Sequence, residues 1–216
     1  MQYLVRNMLA VFLLASITVC ALIAADPAAD KKGGSVVKGM ALPEYDKEGN
    51  LLRPTGFEKW VVVGTSIGLG YSDGGRADPN DPGTFHNVYL QSEAFDHYVE
   101  SGEFPEQTVF VVTNQRSQPA KTKGPVSRTG FVAAATSGLE IAIKDSKKYP
   151  DGWAYFMFHD KPGKSPTGRS AERAFERKDC FDCHAEHAAK DNVFTQFYSV
   201  LTDAREKRQA KAPASK

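Results

Sequence analysis

The stretch Cys180-Phe181-Asp182-Cys183-His184 carries two cysteines in C-x-x-C spacing, followed at once by a histidine. This pattern is typical of covalent c-type haem attachment. The cysteines lie about one helical turn apart, which lets both thiols add to the two vinyl groups of one haem. The histidine that follows is placed to act as the proximal ligand of the iron. The sequence therefore predicts one covalent haem c, held by Cys180 and Cys183, with His184 as the iron ligand.

Three other interpretations of this stretch stay open, and the simplest is that the pattern occurs by chance. A thioredoxin-like redox site also uses C-x-x-C, but it does not need the histidine, and no βαβ pattern precedes the motif here. A zinc site is the third alternative, and its ligands would be Cys180, Cys183, His184 and His187. Zinc sites generally use two well-separated ligand pairs, whereas these four residues are crowded into one short segment. Haem attachment is favoured over all three, provided that the protein is exported.

The N-terminal segment has the pattern of a secretory signal. Arg6 is the only charged side chain in residues 1–25, and an apolar run over residues 8–25 ends in small residues. We therefore predict a signal peptide over residues 1–25, cleaved near Ala25, and a periplasmic protein. An apolar run of roughly 18 residues also suffices for an uncleaved membrane anchor, which is the less favoured alternative.

Charge and cysteine content exclude several classes of protein. The chain has 27 Lys and Arg residues against 26 Asp and Glu residues, and its net charge of +1 gives no reason to expect a nucleic-acid partner. The only cysteines beyond the predicted signal are Cys180 and Cys183. A disulfide framework is therefore not predicted, although an exported protein would be allowed one.

Hydrophobic patterns predict an α+β fold, an antiparallel β-sheet with helices packed on it, whose C-terminal helical segment carries the c-type haem motif. Alternation and β-branched runs predict strands over residues 60–65, 84–90, 108–114, 140–144 and 153–158. Helices are predicted over 92–101, with Ser92 as N-cap and Gly102 as stop, and over 170–178. A further helix is predicted from the apolar stripe of Phe194, Phe197, Tyr198 and Leu201.

Composition divides the mature chain into a leader, one domain and a tail. The flexible leader covers residues 26–40, the domain covers 41–204, and the basic, Ala-rich tail over 205–216 is predicted to be disordered. Glycine and proline predict long loops over 68–83 and 115–129 and a linker over 161–168.

Several short segments match a known family in order. They are Trp60–Thr65, Val88-Tyr89, Ser101–Phe104, Gly138–Glu140, Lys144–Lys147, Gly152–Ala154, and the motif at 180–184 followed by Val193–Tyr198. From about Leu51 to Leu201 the chain resembles the cytochrome P-460 and cytochrome c′-beta group of periplasmic mono-haem proteins. The resemblance implies an antiparallel sheet with helices, a homodimer, and a haem iron whose sixth site is open.

Two activities occur among proteins of that group. Cytochrome P-460 enzymes oxidise hydroxylamine and need a lysine bonded to the porphyrin rim, whereas c′-beta proteins lack this bond and bind gases such as nitric oxide. The matching position here is Val112, and no lysine occurs between residues 100 and 120. The resemblance therefore favours binding or redox handling of small nitrogen species such as nitric oxide. Hydroxylamine oxidation remains the alternative, so the protein is either an oxidoreductase or a binding protein.

The resemblance also implies two residues of the distal pocket, where a small ligand would meet the iron. Glu140 matches the family's acidic residue, which can take protons from a bound substrate. His86 occupies the position of the family's distal arginine and can donate a hydrogen bond or coordinate iron. The structural alternatives are an exposed strand glutamate and a half-buried histidine.

A third hypothesis is a six-coordinate electron carrier with a partner cytochrome. It needs a second axial ligand from the protein, for which His86 and Met157 are the candidates. Met157 lies in an aromatic strand and is assigned to the core, as is Met40. His97 and His159 are assigned to the surface, and His187 to the solvent-exposed edge of the haem.

Overall fold

A five-stranded antiparallel sheet occupies the centre of the molecule. The structure is a computed structural model, and it describes residues 34–69, 78, 80–120, 129–159 and 171–211. The predicted signal peptide, most of the leader, the 161–168 linker and parts of both long loops lie outside the described residues. Among the helices in the described part of the chain, none is long and apolar enough to cross a membrane.

The sheet has the strand order β2-β3-β4-β5-β6, so each strand pairs with its neighbour in sequence. Its strands are β2 (Val61–Ile67), β3 (Thr84–Leu90), β4 (Val109–Pro119), β5 (Phe131–Lys144) and β6 (Trp153–His159). A second, two-stranded sheet pairs β1 (Leu51–Leu52) with β7 (Ala171–Glu172). Each neighbouring pair of strands in the five-stranded sheet runs antiparallel.

In the described part of the chain, three α-helices accompany the sheets. They are α1 (Ser92–Ser101), α2 (Phe181–His187) and α3 (Ser199–Lys211). Single turns of 3₁₀-helix occur at Phe57–Lys59, Arg177–Asp179 and Thr195–Phe197. The segment that carries the cysteine–histidine motif therefore follows one 3₁₀ turn, at Arg177–Asp179, and precedes another, at Thr195–Phe197.

Both faces of the five-stranded sheet are buried, each against its own cluster of apolar side chains. Alternation along β4 places Phe110 on one face, together with α1 and α3, and Val109 and Val111 on the other. Fully burying an aliphatic or aromatic side chain contributes about 1.5–3 kcal/mol, so these two clusters account for much of the driving force for folding. The face with Phe110 also contains the candidate site.

The C-terminal end of α1 is stabilised by α3. Gly102 ends the helix in the left-handed conformation with φ 81°, and its N–H donates to the Tyr98 carbonyl at 2.7 Å. The Arg205 guanidinium on α3 donates to the carbonyls of Tyr98 and Val99 at 3.1 and 3.2 Å. A Cβ at Gly102 would meet this guanidinium, so glycine is required both by the backbone angle and by the docking of α3.

The predicted fold class is confirmed: the chain is α+β, with antiparallel sheets and three helices. The strand over 84–90, the helix over 92–101 and the stop at Gly102 have the predicted bounds. The N-cap of α1 is Gln91 rather than Ser92.

Three predicted elements differ from the structure. Strands β4 and β5 form a long hairpin, with pairs from Val109 with Ile143 to Pro119 with Phe131, so the predicted 115–129 loop begins only after the strand. Instead of a helix over 170–178, the described part of that range contains β7 and one 3₁₀ turn. The Phe194 stripe is not a continuous helix, because a 3₁₀ turn precedes α3 and Phe197 is 54% exposed.

The predicted leader and tail are both more ordered than expected. Val37 packs against the core and Met40 is buried in it, so the end of the leader belongs to the domain. The tail predicted to be disordered from residue 205 is helical to Lys211, because Arg205 and Arg208 of α3 bond to α1.

Candidate functional site

Directly paired residues form a row across the five-stranded sheet. Val88 pairs with both Gly64 and Val112, and Glu140 pairs with both Val112 and Met157. These five residues, Gly64, Val88, Val112, Glu140 and Met157, all line cavities on one face of the sheet, and we call them the sheet wall. The register of the strands thus places one carboxylate within an otherwise apolar row.

Two neighbouring cavities lie between the sheet wall and the C-terminal segment. Their volumes are about 320 Å³ and about 360 Å³, and each lies within the range of about 300–1,000 Å³ that is usual for ligand sites. Both cavities are lined by Val112, Glu140, Cys183 and Tyr198. Since they share these wall residues, we treat them as two halves of one cleft.

The opposite side of the cleft is formed by Cys180, Cys183 and His184, which we call the α2 wall. All three residues line the first cavity, and Cys183 lines both. The His184 N–H donates to the Cys180 carbonyl at 3.1 Å, which closes one helical turn over the C-x-x-C-H motif. This turn presents both thiols and the imidazole to the same cleft.

The imidazole of His184 is held in one orientation. Its Nδ1 lies 2.8 Å from the Asn192 carbonyl oxygen, which can only accept, so Nδ1 carries the proton and Nε2 is left as a lone-pair donor. The ring packs between Tyr155 and Phe194, with centroid distances of 4.2 and 4.6 Å. Burial lowers the pKa of His184, which favours the neutral form that binds metals.

The carbonyl that accepts from His184 belongs to a tight turn. Lys190 and Val193 are joined by two backbone hydrogen bonds, and the residues between them, Asp191 and Asn192, have φ of 47° and 59°. Such a pair of left-handed residues is typical of a type I′ turn. The Tyr155 hydroxyl also donates to the Asn192 carbonyl, at 3.2 Å, so this oxygen accepts from two side chains of the site.

The Cys180 thiol is poorly suited to the two alternative chemistries. Burial, with smaller effects from Asp179 and Glu140, raises the pKa of Cys180 to about 11. C-x-x-C redox sites instead lower the pKa of the reactive cysteine, because the thiolate is the nucleophile. In the described part of the chain, no three His, Cys, Asp or Glu residues are placed to hold a metal ion, so the zinc interpretation gains no support there.

Among the described residues, Glu140 is the only acidic side chain that lines both halves of the cleft. Its carboxylate accepts a hydrogen bond from the Asn114 side-chain amide at 2.9 Å. Asn114 is buried and lies on β4 directly between His86 and Gly138. Asn114 lies at the end of the predicted strand over 108–114, but it was given no role in the site, because nothing in the sequence shows that its amide meets Glu140 on the next strand.

The structure brings His86 to the same cleft. It is half-buried on β3, lies beside Asn114, and lines the second cavity together with Val112 and Glu140. His187 is exposed at the edge of that cavity, and His159 is exposed, as predicted. Met157 is partly exposed and lines the first cavity, so its assignment to the core is wrong.

Gly64 shapes the second cavity through its lack of a side chain. A Cβ at this position would lie 2.8 Å from Cδ1 of Tyr198 and 3.1 Å from the Phe197 carbonyl oxygen. The close approach lets the segment before α3 close the cleft over β2.

The sequence did not predict a role in the site for Lys144, for Tyr155 or for the Asp191-Asn192 turn. The turn did have a recognisable signal, because Asp191 and Asn192 are two turn-forming residues in succession.

These observations define the class of the molecule: an α+β protein whose apolar cleft carries two thiols one turn apart and an imidazole with a free Nε2. That donor set fits a haem. The Cytochrome P460 family profile matches residues 54–195, so the chain belongs to the cytochrome P460 family, a family of haem proteins linked to the chemistry of small nitrogen species. No curated protein matches the chain.

Proposed function

We propose that the chain is an exported mono-haem c-type cytochrome that binds, or handles by redox chemistry, small nitrogen species such as nitric oxide. The observation that carries this proposal is the position of Val112. It lies at the centre of the sheet wall and lines both halves of the cleft, where hydroxylamine-oxidising relatives need a lysine. None of the described residues that line the two cavities is a lysine.

The α2 wall would hold the cofactor. Cys180 and Cys183 would form thioether bonds to one haem, and Nε2 of His184 would coordinate the iron. The hydrogen bond from Nδ1 to the Asn192 carbonyl supports this role, because metal-binding histidines generally donate their other N–H to an acceptor that fixes the ring. When bound, the haem supplies an iron that takes small ligands and changes its oxidation state.

The sheet wall would face the small ligand. Val88 and Val112 exclude water and favour an uncharged molecule, which suits a diatomic gas. His86 would donate a hydrogen bond to the ligand from the second half of the cleft. Glu140, oriented by Asn114, would accept a proton where the ligand carries one.

Glu140 also favours the second candidate, oxidation of hydroxylamine. A purely gas-binding cleft has no use for a carboxylate, whereas oxidation of a protic substrate releases protons that a base must take. Val112 weighs against this candidate, because the side chain cannot form a bond to the porphyrin.

The optical spectrum of the purified exported protein, ferric and ferrous, with and without nitric oxide, tests the proposal. We expect an unshifted high-spin spectrum that changes when nitric oxide is added. A ferrous Soret band far to the red of ordinary c-type haem would reveal a porphyrin cross-link and favour hydroxylamine oxidation. A low-spin spectrum indifferent to nitric oxide would leave electron transfer to a partner cytochrome, with His86 or Met157 as sixth ligand.

We further propose a periplasmic location and a homodimer. The apolar segment over residues 8–25 supports the first, and the family resemblance supports the second. Fractionation, N-terminal sequencing and light scattering test these proposals: the expected product starts after Ala25 and has twice the mass of the mature chain. An intact N-terminus in the membrane fraction would instead indicate the uncleaved anchor.

A further inference from the structure

The Asp191-Asn192 turn holds two successive non-glycine residues at positive φ. Asp and Asn tolerate this conformation better than other non-glycine residues, but it still costs conformational energy that contacts with the surroundings can offset. Within the turn, the Val193 N–H donates to the Lys190 carbonyl at 2.8 Å, and the return bond is longer, at 3.3 Å. The described contacts of the Asp191 side chain show where the additional support lies.

A cross-strand pair binds both oxygens of the Asp191 carboxylate. Lys144 at the end of β5 pairs with Trp153 at the start of β6. The Lys144 ammonium lies 2.7 Å from Oδ2 of Asp191, and the Trp153 indole N–H donates to Oδ1 at 3.2 Å. Lys144 also donates to the Phe104 carbonyl at 2.8 Å. We call Lys144, Trp153 and Asp191 the turn clamp.

The turn clamp is largely removed from water. The side chains of Lys144 and Asp191 are 15% and 25% exposed, and Trp153 is buried at 3%. Ion pairs of this kind are screened less than surface pairs, and their geometry is fixed by the additional hydrogen bonds. The neighbouring pair of Lys190 with Glu103 has the same length, 2.7 Å, but its side chains are 39% and 62% exposed.

The clamp acts on the residue next to Asp191. Fixing the Asp191 carboxylate fixes the backbone of Asn192, whose carbonyl accepts from Nδ1 of His184 at 2.8 Å. A strong acceptor at Nδ1 increases the basicity of the imidazole, and a more basic axial ligand stabilises ferric over ferrous iron. A loosened turn would weaken this acceptor.

We propose that Lys144, Trp153 and Asp191 are positioning residues that hold the Asn192 carbonyl on His184 and thereby keep the reduction potential of the haem low. The proposal rests on the proposed role of His184 as proximal ligand. It assigns to Lys144 and Trp153, which lie on β5 and β6, an effect on the iron that is transmitted through the turn.

The test compares reduction potentials of purified holoprotein variants whose net charge is unchanged. Lys144→Met/Asp191→Asn removes one charge of each sign, and Trp153→Phe removes the indole N–H, together with part of the buried ring, without any change of charge. A lost charge by itself shifts the potential in a direction set by its sign, so variants without a net change isolate the geometric effect. We expect the potential to rise in both variants, and more in the double variant.

The matched control is Lys190→Met/Glu103→Gln, which removes an ion pair from the same turn without touching Asp191. Its potential should stay at the wild-type value. Clamp variants with wild-type potentials, or a control that rises equally, would overturn the proposal. If the double variant does not incorporate haem, the reduction potential of Trp153→Phe alone tests the proposal.

A second measurement separates this proposal from the proposed function. In the ferrous protein, the iron–histidine stretching band in resonance Raman spectra should move to lower frequency in the clamp variants, because the imidazole becomes less basic. Neither the potential nor this band requires nitric oxide. Wild-type protein that carries haem but ignores nitric oxide would therefore refute the proposed function alone, whereas wild-type protein without haem would refute both.

Discussion

The two walls of the cleft differ in how firmly their polar groups are held. On the α2 wall, His184 is packed between two aromatic rings and bonded to a carbonyl that a second side chain, Tyr155, also contacts. On the sheet wall, Glu140 is oriented by one side-chain amide, and its neighbours Val112 and Val88 are apolar. The α2 wall is thus built to hold one group in one geometry, and the sheet wall leaves space for a small ligand.

This difference indicates at which positions a substitution can change ligand selectivity. A change on the α2 wall disturbs hydrogen bonds and ring contacts that act together, so it should affect cofactor binding as a whole. A change on the sheet wall, except at the closely packed Gly64, alters one side chain in an already formed row, so it should affect selectivity while leaving the fold intact. Variants on the two walls can break or sharpen this contrast.

The largest effect is expected from the two thiols. Cys180→Ala/Cys183→Ala should remove all covalently bound haem, because no other cysteine remains beyond the predicted signal. Haem staining after denaturing electrophoresis measures this directly. Cys20→Ala is the control and should stain like the wild type, since Cys20 lies in the segment predicted to be cleaved. Haem that stays on the double variant through denaturation would show that another residue carries the bond.

The next largest effect is expected at Gly64, where the segment before α3 approaches β2 and closes the cleft. Gly64→Ala places a Cβ within 2.8 Å of Tyr198 and 3.1 Å of the Phe197 carbonyl, so the segment before α3 must move. Overpacking of this kind costs about 1–3 kcal/mol of unfolding free energy, measurable by chemical denaturation. Gly34→Ala is the control, because the nearest atom to its Cβ is 3.9 Å away. Equal free energies of unfolding for both variants would mean that the Tyr198 side chain moves aside without a measurable loss of stability.

His86 should affect the ligand without affecting the fold. His86→Ala removes a hydrogen-bond donor from the second cavity, and one such bond contributes about 0.5–1.5 kcal/mol. We expect nitric oxide affinity to fall up to roughly tenfold, with unchanged stability. Stopped-flow binding measures this, and His97→Ala on α1 is the control, since His97 does not line either cavity. Tighter binding in His86→Ala would identify His86 as a sixth ligand that blocks the iron.

Local signals explain what the sequence could predict. The C-x-x-C-H motif lies within one helical turn, and the strand over 84–90 and the helix over 92–101 each carry their own periodicity and stop signal. The face shared by His86 and Val88 follows from alternation alone, and both residues line the second cavity. A site or element formed by consecutive residues can therefore be predicted from a single sequence.

Long-range pairing explains what the sequence could not predict. Polar residues of β4 such as Gln115 and Ser117 were assigned to a loop, but they are held in the strand by pairing with β5. Strand propensity depends on such neighbours more than on the residue itself. The turn clamp is hidden for the same reason, since Lys144 and Trp153 meet Asp191 across separations of 47 and 38 residues.

The smallest effect is expected from an exposed ion pair that joins α3 to α1. Arg208 bonds to Glu100 and lowers the pKa of this carboxyl. A lowered folded-state pKa means that the stabilisation is present above the ordinary value of 4.5 and is lost as pH falls through the folded value. Glu100→Gln should therefore lower the melting temperature slightly at neutral pH, and the difference from the wild type should shrink as the pH falls below 4.5.

The control for this pair is Glu48→Gln, which removes another exposed carboxylate but none that contacts a helix. Its melting temperature should stay within error of the wild type over the same pH range. The Glu100 effect should also shrink in high salt, because the side chains of Glu100 and Arg208 are both at least half exposed and a Debye length of about 3 Å at 1 M salt screens their charges. A Glu100→Gln difference that does not shrink as the pH falls would show that packing of the side chain, rather than its charge, holds α3 on α1. In that case the docking of α3 on α1 would not depend on pH.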